Sequence, residues 1–198
     1  MRSVLSVLAL TFGLSLTAQA QTPNRIGPRH QNGPRIGITY LAPGVVERIN
    51  DATSDGGVGD RIDPAFPFVT QFGWQFEFQT FQTPNGTTGL AEIVPLLSGL
   101  DRGLIAPSLT VITGLRTPSG FELGAGPNLS LSPREGEPVH SDDLAPLDAD
   151  VRIGLALVAG VNGRLDGVSV PVNTAVVLGT GGARVSLLFG LNVSDSRY

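Results

Sequence analysis

The chain has 198 residues, 26 of them glycine and none cysteine, with 17 acidic residues against 13 basic ones and a net charge of −4. That balance argues against nucleic acid as a partner, and the missing cysteines exclude disulfide staples and thiol chemistry. Every basic residue is an arginine, and 15% of the chain is charged, below the roughly 25–35% suited to a fully solvated surface.

Residues 1–20 read as a secretory signal peptide. Arg2 supplies the positive start, "VLSVLALTFGLSL" the apolar region, and Ala18-Gln19-Ala20 a small-x-small site for cleavage after Ala20. The apolar run is too short for a spanning helix. Residues 21–34 hold Pro, Gly, Asn and Arg with no hydrophobic period, which predicts a flexible lead-in. Residues 35–198 then form one domain.

From Arg35 onward a period of two recurs, the mark of strands with two unlike faces. Ile36, Ile38 and Tyr40 mark the first strand. "APGVVERINDA" follows, with Pro43 near its start and Val45, Val46 and Ile49 on one side, so a short helix is expected over 43–52. Its place, on a membrane surface or plugging a barrel, is left open. The second strand lies in "FPFVTQFGWQFEFQTF", with an aromatic at nearly every second position. The third, around Leu90 to Leu100, has too mixed a pattern to set its facing.

Five more follow: Leu109 to Leu115, Phe121 to Leu131, Val151 to Val161, Val168 to Leu178 and Val185 to Val193. Most exceed the strand of about 5–6 residues usual in soluble proteins. The spacing predicts an all-β, eight-stranded antiparallel up-and-down transmembrane barrel with one short helix between strands one and two. Its longest connections, 42–64 and "SPREGEPVHSDDLAPLDA", fall at one end. "TPNG", "TPSG" and "NGRLDG" fall at the end of the termini. Short turns on one rim and long charged loops on the other match an outer-membrane barrel.

The second face of the strands decides between lipid and protein core. It carries Gly73, Gly114, Gly124, Gly126, Gly154, Gly160, Gln71, Gln75, Asn128, Ser130 and Asn173, small uncharged groups suited to a narrow closed interior. On the apolar face, strands two and four to eight carry no charge. One Arg or Lys at the bilayer midplane costs about 2–4 kcal/mol. Ten residues tilted by about 45° span roughly 24 Å, the height of the apolar band. Tyr40, Trp74, Phe76, Phe78 and Phe121 are candidate interfacial aromatics.

A few charges interrupt the small face: Glu77, Glu92, Arg116, Glu122 and Arg152. Enclosed charges must pair, so these five are the candidate lumen network, read as a static plug of ion pairs. Catalytic signals are weak. His30 and His140 are the only imidazoles, and "HSDD" (His140 to Asp143) sits in a Pro-rich loop that does not preorganise a site. "DATSDGGVGDRID" misses the calcium-loop spacing, and "GAGPNL" lacks the third glycine of a dinucleotide loop. No catalytic residue, metal site or cofactor is assigned.

The pattern over 35–198, with the final aromatic Tyr198 and the apolar "VSLLFGLNV" before it, resembles the small eight-stranded outer-membrane β-barrels of Gram-negative-type bacteria. The resemblance implies a bacterial outer-membrane location, delivery by the barrel-assembly machinery, contact with outer-membrane lipid and a monomeric state. The expected function is a closed, polar, small-residue barrel with acidic external loops. Its role is structural or in surface interaction, with an unknown surface or periplasmic partner, and it is not an enzyme. The alternatives are a soluble exported lipocalin-like barrel, with the aromatic face lining an apolar-ligand pocket, and a lipid-modifying outer-membrane enzyme.

Overall fold

The computed structural model describes residues 30–54, 62–133, 149–165, 168–180 and 182–195. The strands are β1 (His30–Leu41), β2 (Phe68–Gln82), β3 (Thr88–Ser98), β4 (Ala106–Arg116), β5 (Phe121–Pro133), β6 (Ala149–Leu165), β7 (Val168–Gly179), β8 (Gly182–Gly190) and β9 (Val193–Asp195). Helix α1 (Pro43–Ser54) lies between β1 and β2. Residues 1–29, where the signal peptide and most of the lead-in are expected, "HSDD" and Tyr198 lie outside the described residues, as do 55–61 of "DATSDGGVGDRID".

From β1 to β8 each strand pairs antiparallel with the next, and β1 pairs with both β2 and β8, which closes the sheet into a barrel. The short β9 extends the β8 edge and pairs with β1, so eight strand positions surround the lumen. The β7–β8 ladder ends at Val172↔Phe189. The same register would set Pro171 opposite Gly190, and proline has no N–H to continue the ladder.

The register fixes the barrel's shape. Stepping between partners from His30 through Phe78, Ala91, Thr113, Ala125, Leu157, Val176 and Val185 leads back to β1 at Tyr40, ten residues along. That stagger over eight strands implies a tilt of about 40° to the barrel axis. The interior is wide enough only for side chains.

β1 begins at His30, earlier than the expected start at 35. Its first residues pair with β2 from His30↔Phe78 onward. Gln31 and Gly33 face inward while Asn32 and Pro34 take the outward positions, so no hydrophobic alternation marks this stretch. β3 also has a plain facing: Leu90, Glu92, Val94, Leu96 and Ser98 are buried, while Ile93 and Leu97 are exposed. Its pattern reads as mixed because bulky apolar residues stand on both faces.

α1 runs over Pro43–Ser54, with proline at its first position, where no intrahelical N–H is lost. Val45 and Val46 pack with Leu41, Ile62, Val69 and Leu104 in one apolar cluster. The helix therefore covers the mouth of the barrel at its long-loop end. Asn50 fixes the return of the chain: its amide donates to the Ile62 carbonyl at 2.8 Å, and its oxygen accepts from the Ile62 N–H at 2.7 Å.

The β3–β4 connection contains a 3-10 turn, Leu100–Arg102, between Gly99 and Gly103 at φ 85° and 66°, the left-handed region that favours glycine. Asp101 accepts from the Thr70 N–H at 3.0 Å and the Thr70 hydroxyl at 2.6 Å, which ties this turn to β2. Partial burial pushes the Asp101 pKa up, but the two Thr70 hydrogen bonds, with its own backbone N–H and the nearby Arg102, together outweigh it and leave it below the ordinary aspartate value. A depressed folded-state value stabilises the protein above the unfolded pKa, and the contribution is lost as pH falls through the folded one. Asp101→Asn should therefore lower the unfolding free energy at neutral pH, and the gap to wild type should close in acid. Urea titrations at neutral pH and below pH 3 would check this; a pH-independent gap would contradict it.

Candidate functional site

The candidate site is the lumen, which the strand pleat fills from one face of every strand. Glu77 and Glu92 stand directly opposite each other on β2 and β3, and Arg116 and Glu122 do the same on β4 and β5. Two like charges at facing positions repel. The repulsion is offset by Arg116, which reaches past β3 to clasp Glu77 with two parallel hydrogen bonds, Nη1 to Oε1 at 2.8 Å and Nη2 to Oε2 at 2.6 Å. Its Nε donates to Glu122 Oε1 at 2.5 Å. One guanidinium thus serves two carboxylates with most of its donors, the geometry that suits arginine and not lysine.

Glu92 makes no hydrogen bond among the described residues, and its electrostatic neighbours are Glu77, Glu122, Arg116 and Arg35. Arg35 was not anticipated from the sequence. It is buried on β1, donates from Nε to Gln75 Oε1 at 2.9 Å and from Nη1 to its neighbour's carbonyl, Pro34 O, at 2.9 Å. Space for it comes from Gly190, where a Cβ would run into the guanidinium. Its position, out of phase with Ile36 and Ile38, is the signal that could have found it.

Arg152 does not join this network. It stands near the start of β6, at the long-loop end of the barrel, and its Nη2 contacts Asp150 Oδ2 at 3.2 Å. A second arginine unforeseen in the sequence, Arg184 on β8, points into the same end and donates to Asn128 Oδ1 at 3.0 Å and Ser130 Oγ at 3.2 Å. Strand direction separates the groups: Arg116 and Glu122 lie beside the β4–β5 turn, whereas Arg152 enters from the opposite rim.

Between the two charged zones lies an apolar layer. Val94, Leu96, Ile112 and Leu188 form a buried cluster inside the barrel, with Val158 packed against it. On β3 the inward order from the short-turn end is Glu92, Val94, Leu96, Ser98; on β4 it is Arg116, Gly114, Ile112, Thr110. Bulk here is matched by glycine on the next strand: a Cβ on Gly124 would meet the Ile112 side chain, and one on Gly126 the Val111 and Ile112 backbone. The expectation of a lumen filled by small polar residues is corrected accordingly. It has a polar, ionic half and an apolar septum.

The candidate aromatics also divide. Trp74 and Phe76 are exposed on the outer wall, but mid-way along β2, opposite Pro34 and Asn32. Tyr40 is near the long-loop rim, its ring edge-on to Phe68 with centroids 5.6 Å apart. Phe78 and Phe121 lie toward the short-turn end, on the β2 side of its turn and at the start of β5. A girdle would draw on Tyr40, Phe66 and Phe68 at one rim and Phe78, Phe81 and Phe121 at the other, with Trp74 and Phe76 inside the band.

Glu77 is fully buried, so loss of its partner would leave an uncompensated charge, at a cost of about 3–5 kcal/mol. Arg116→Met should destabilise the barrel by about that amount. The triple variant with Glu77→Gln and Glu122→Gln should recover part of the loss, since the orphaned charges are removed with their partner. Guanidinium unfolding in detergent measures both, and a triple variant no better than the single would contradict a true ion-pair plug. Comparison of the chain with protein-family models, with curated proteins and with solved structures finds no match, so nothing outside its own residues assigns it a family.

Proposed function

We propose that the chain is a monomeric outer-membrane barrel, exported on residues 1–20, whose outer wall contacts lipid and whose lumen is closed. The observation that carries this reading is the reversal of the usual burial pattern. Ile153, Leu155 and Leu157 on β6 are 60, 50 and 45% exposed, and Phe72, Trp74, Phe76 and Phe78 on β2 are exposed as well. Glu77, Glu122, Gln75, Asn128 and Asn173 are buried. In water this arrangement would place large apolar patches in contact with solvent. In a bilayer it is the arrangement that keeps backbone polar groups in closed ladders and charges away from hydrocarbon.

The outward rings of β2 also count against the soluble lipocalin-like alternative, which needs them around an internal pocket. The apolar septum opposes water and ion passage, and the ionic half supports a structural plug. The role that fits is structural or in surface interaction, with the long loops presented outward. The barrel-assembly machinery would deliver it to the outer membrane.

Refolded into detergent, the chain should migrate differently on SDS gels before and after boiling, as a closed barrel resists unheated SDS. Leu157→Arg, on the outer wall, should weaken folding into phosphatidylcholine vesicles by about 2–4 kcal/mol. A chain that folds in water without detergent and shows no heat shift would overturn the reading.

A further inference from the structure

Beneath α1, at the long-loop end of the lumen, lies a cavity of about 80 Å³. Three arginines line it, Arg48 of α1, Arg152 of β6 and Arg184 of β8, together with the apolar Leu41, Val45 and Leu104. Among the described residues that line it there is no carboxylate. Arg184 is held by neutral groups, Asn128 and Ser130. Arg152 has one contact to Asp150, and its buried Nε has no hydrogen-bond partner.

These features differ from those of the ionic plug. There, every Arg116 bond described ends on a carboxylate. Here, Arg184 ends on neutral oxygens, Arg152 keeps a buried Nε without a partner beside its Asp150 contact, and the two arginines also line a second, smaller space with Gly154 and Gly179. Guanidinium forks select carboxylate or phosphate oxygens, and an apolar wall beside them selects a ligand with a hydrocarbon part. The volume holds a head group and its first carbons.

We propose that this cavity binds a small amphiphilic anion, a carboxylate or phosphate on a short apolar chain, with its charge between Arg152 and Arg184 and its chain along Leu41, Val45 and Leu104. The proposal concerns the mouth of the barrel and holds whether or not the outer wall contacts lipid.

The test uses the full chain lacking the signal peptide, folded in non-ionic detergent, with labelled hexanoate in equilibrium dialysis. Saturable one-to-one binding is expected, with no comparable binding of hexanol. Arg184→Gln and Arg152→Gln should each weaken it by about tenfold or more, the loss expected for a charge-assisted contact, while Arg102→Gln, in the outer turn, should leave it unchanged. Two variants guard against one failing to fold. In nanodiscs, displacement of hexanoate by phosphatidylglycerol but not phosphatidylcholine would assign the natural anion to a lipid head group; retained binding in both would assign it to a free solute. Absence of saturable binding, equal binding of hexanol, or unchanged affinity in both arginine variants would overturn the proposal.

Discussion

The whole molecule depends on the closure of β1 against both β2 and β8. Once the ladder returns to itself ten residues along, strand edges disappear and the interior shrinks to a channel that side chains alone can fill. Everything else follows from that constraint. Large residues are favoured on the outer wall, glycine and short polar groups are favoured inside, and an inward charge must find a protein partner instead of water.

Much of this was legible in the sequence because a pleated strand writes its two faces as alternate residues. The number of strands, the helix at Pro43 and the division of short and long connections all came from period and turn chemistry. Glu77, Arg116 and Glu122 were legible as charges on the small face. Their partnership required more, since Arg116 reaches a strand two places away. Which inward residues share a level depends on the stagger between strands, and a single sequence does not print it.

The same reason explains what the sequence concealed. Arg152 looks equivalent to Arg116 in phase, yet it enters from the other rim and meets Asp150 instead. Arg35 and Arg184 were hidden inside apolar runs whose outward members drew attention. The third strand was unreadable because Val94 and Leu96 face the lumen while Ile93 and Leu97 face out. Such bulk is tolerated inside only because glycines on a neighbouring strand make way, a pairing between distant segments that no local pattern reveals. The resulting septum separates an ionic plug at the turn end from an arginine-lined mouth at the loop end, and so one narrow lumen holds two chemically distinct compartments.

Contact between the outer wall and hydrocarbon, as proposed, has a reporter within the chain. Trp74 is the one tryptophan in the sequence, it is 43% exposed, and it stands mid-way along β2. Its fluorescence should be measured in vesicles whose acyl chains carry bromine at graded depths. A lipid-facing wall predicts blue-shifted emission, strong quenching by bromines deep in the chains and little by aqueous acrylamide. Emission typical of water, quenched by acrylamide and indifferent to brominated lipid, would contradict a lipid-facing wall.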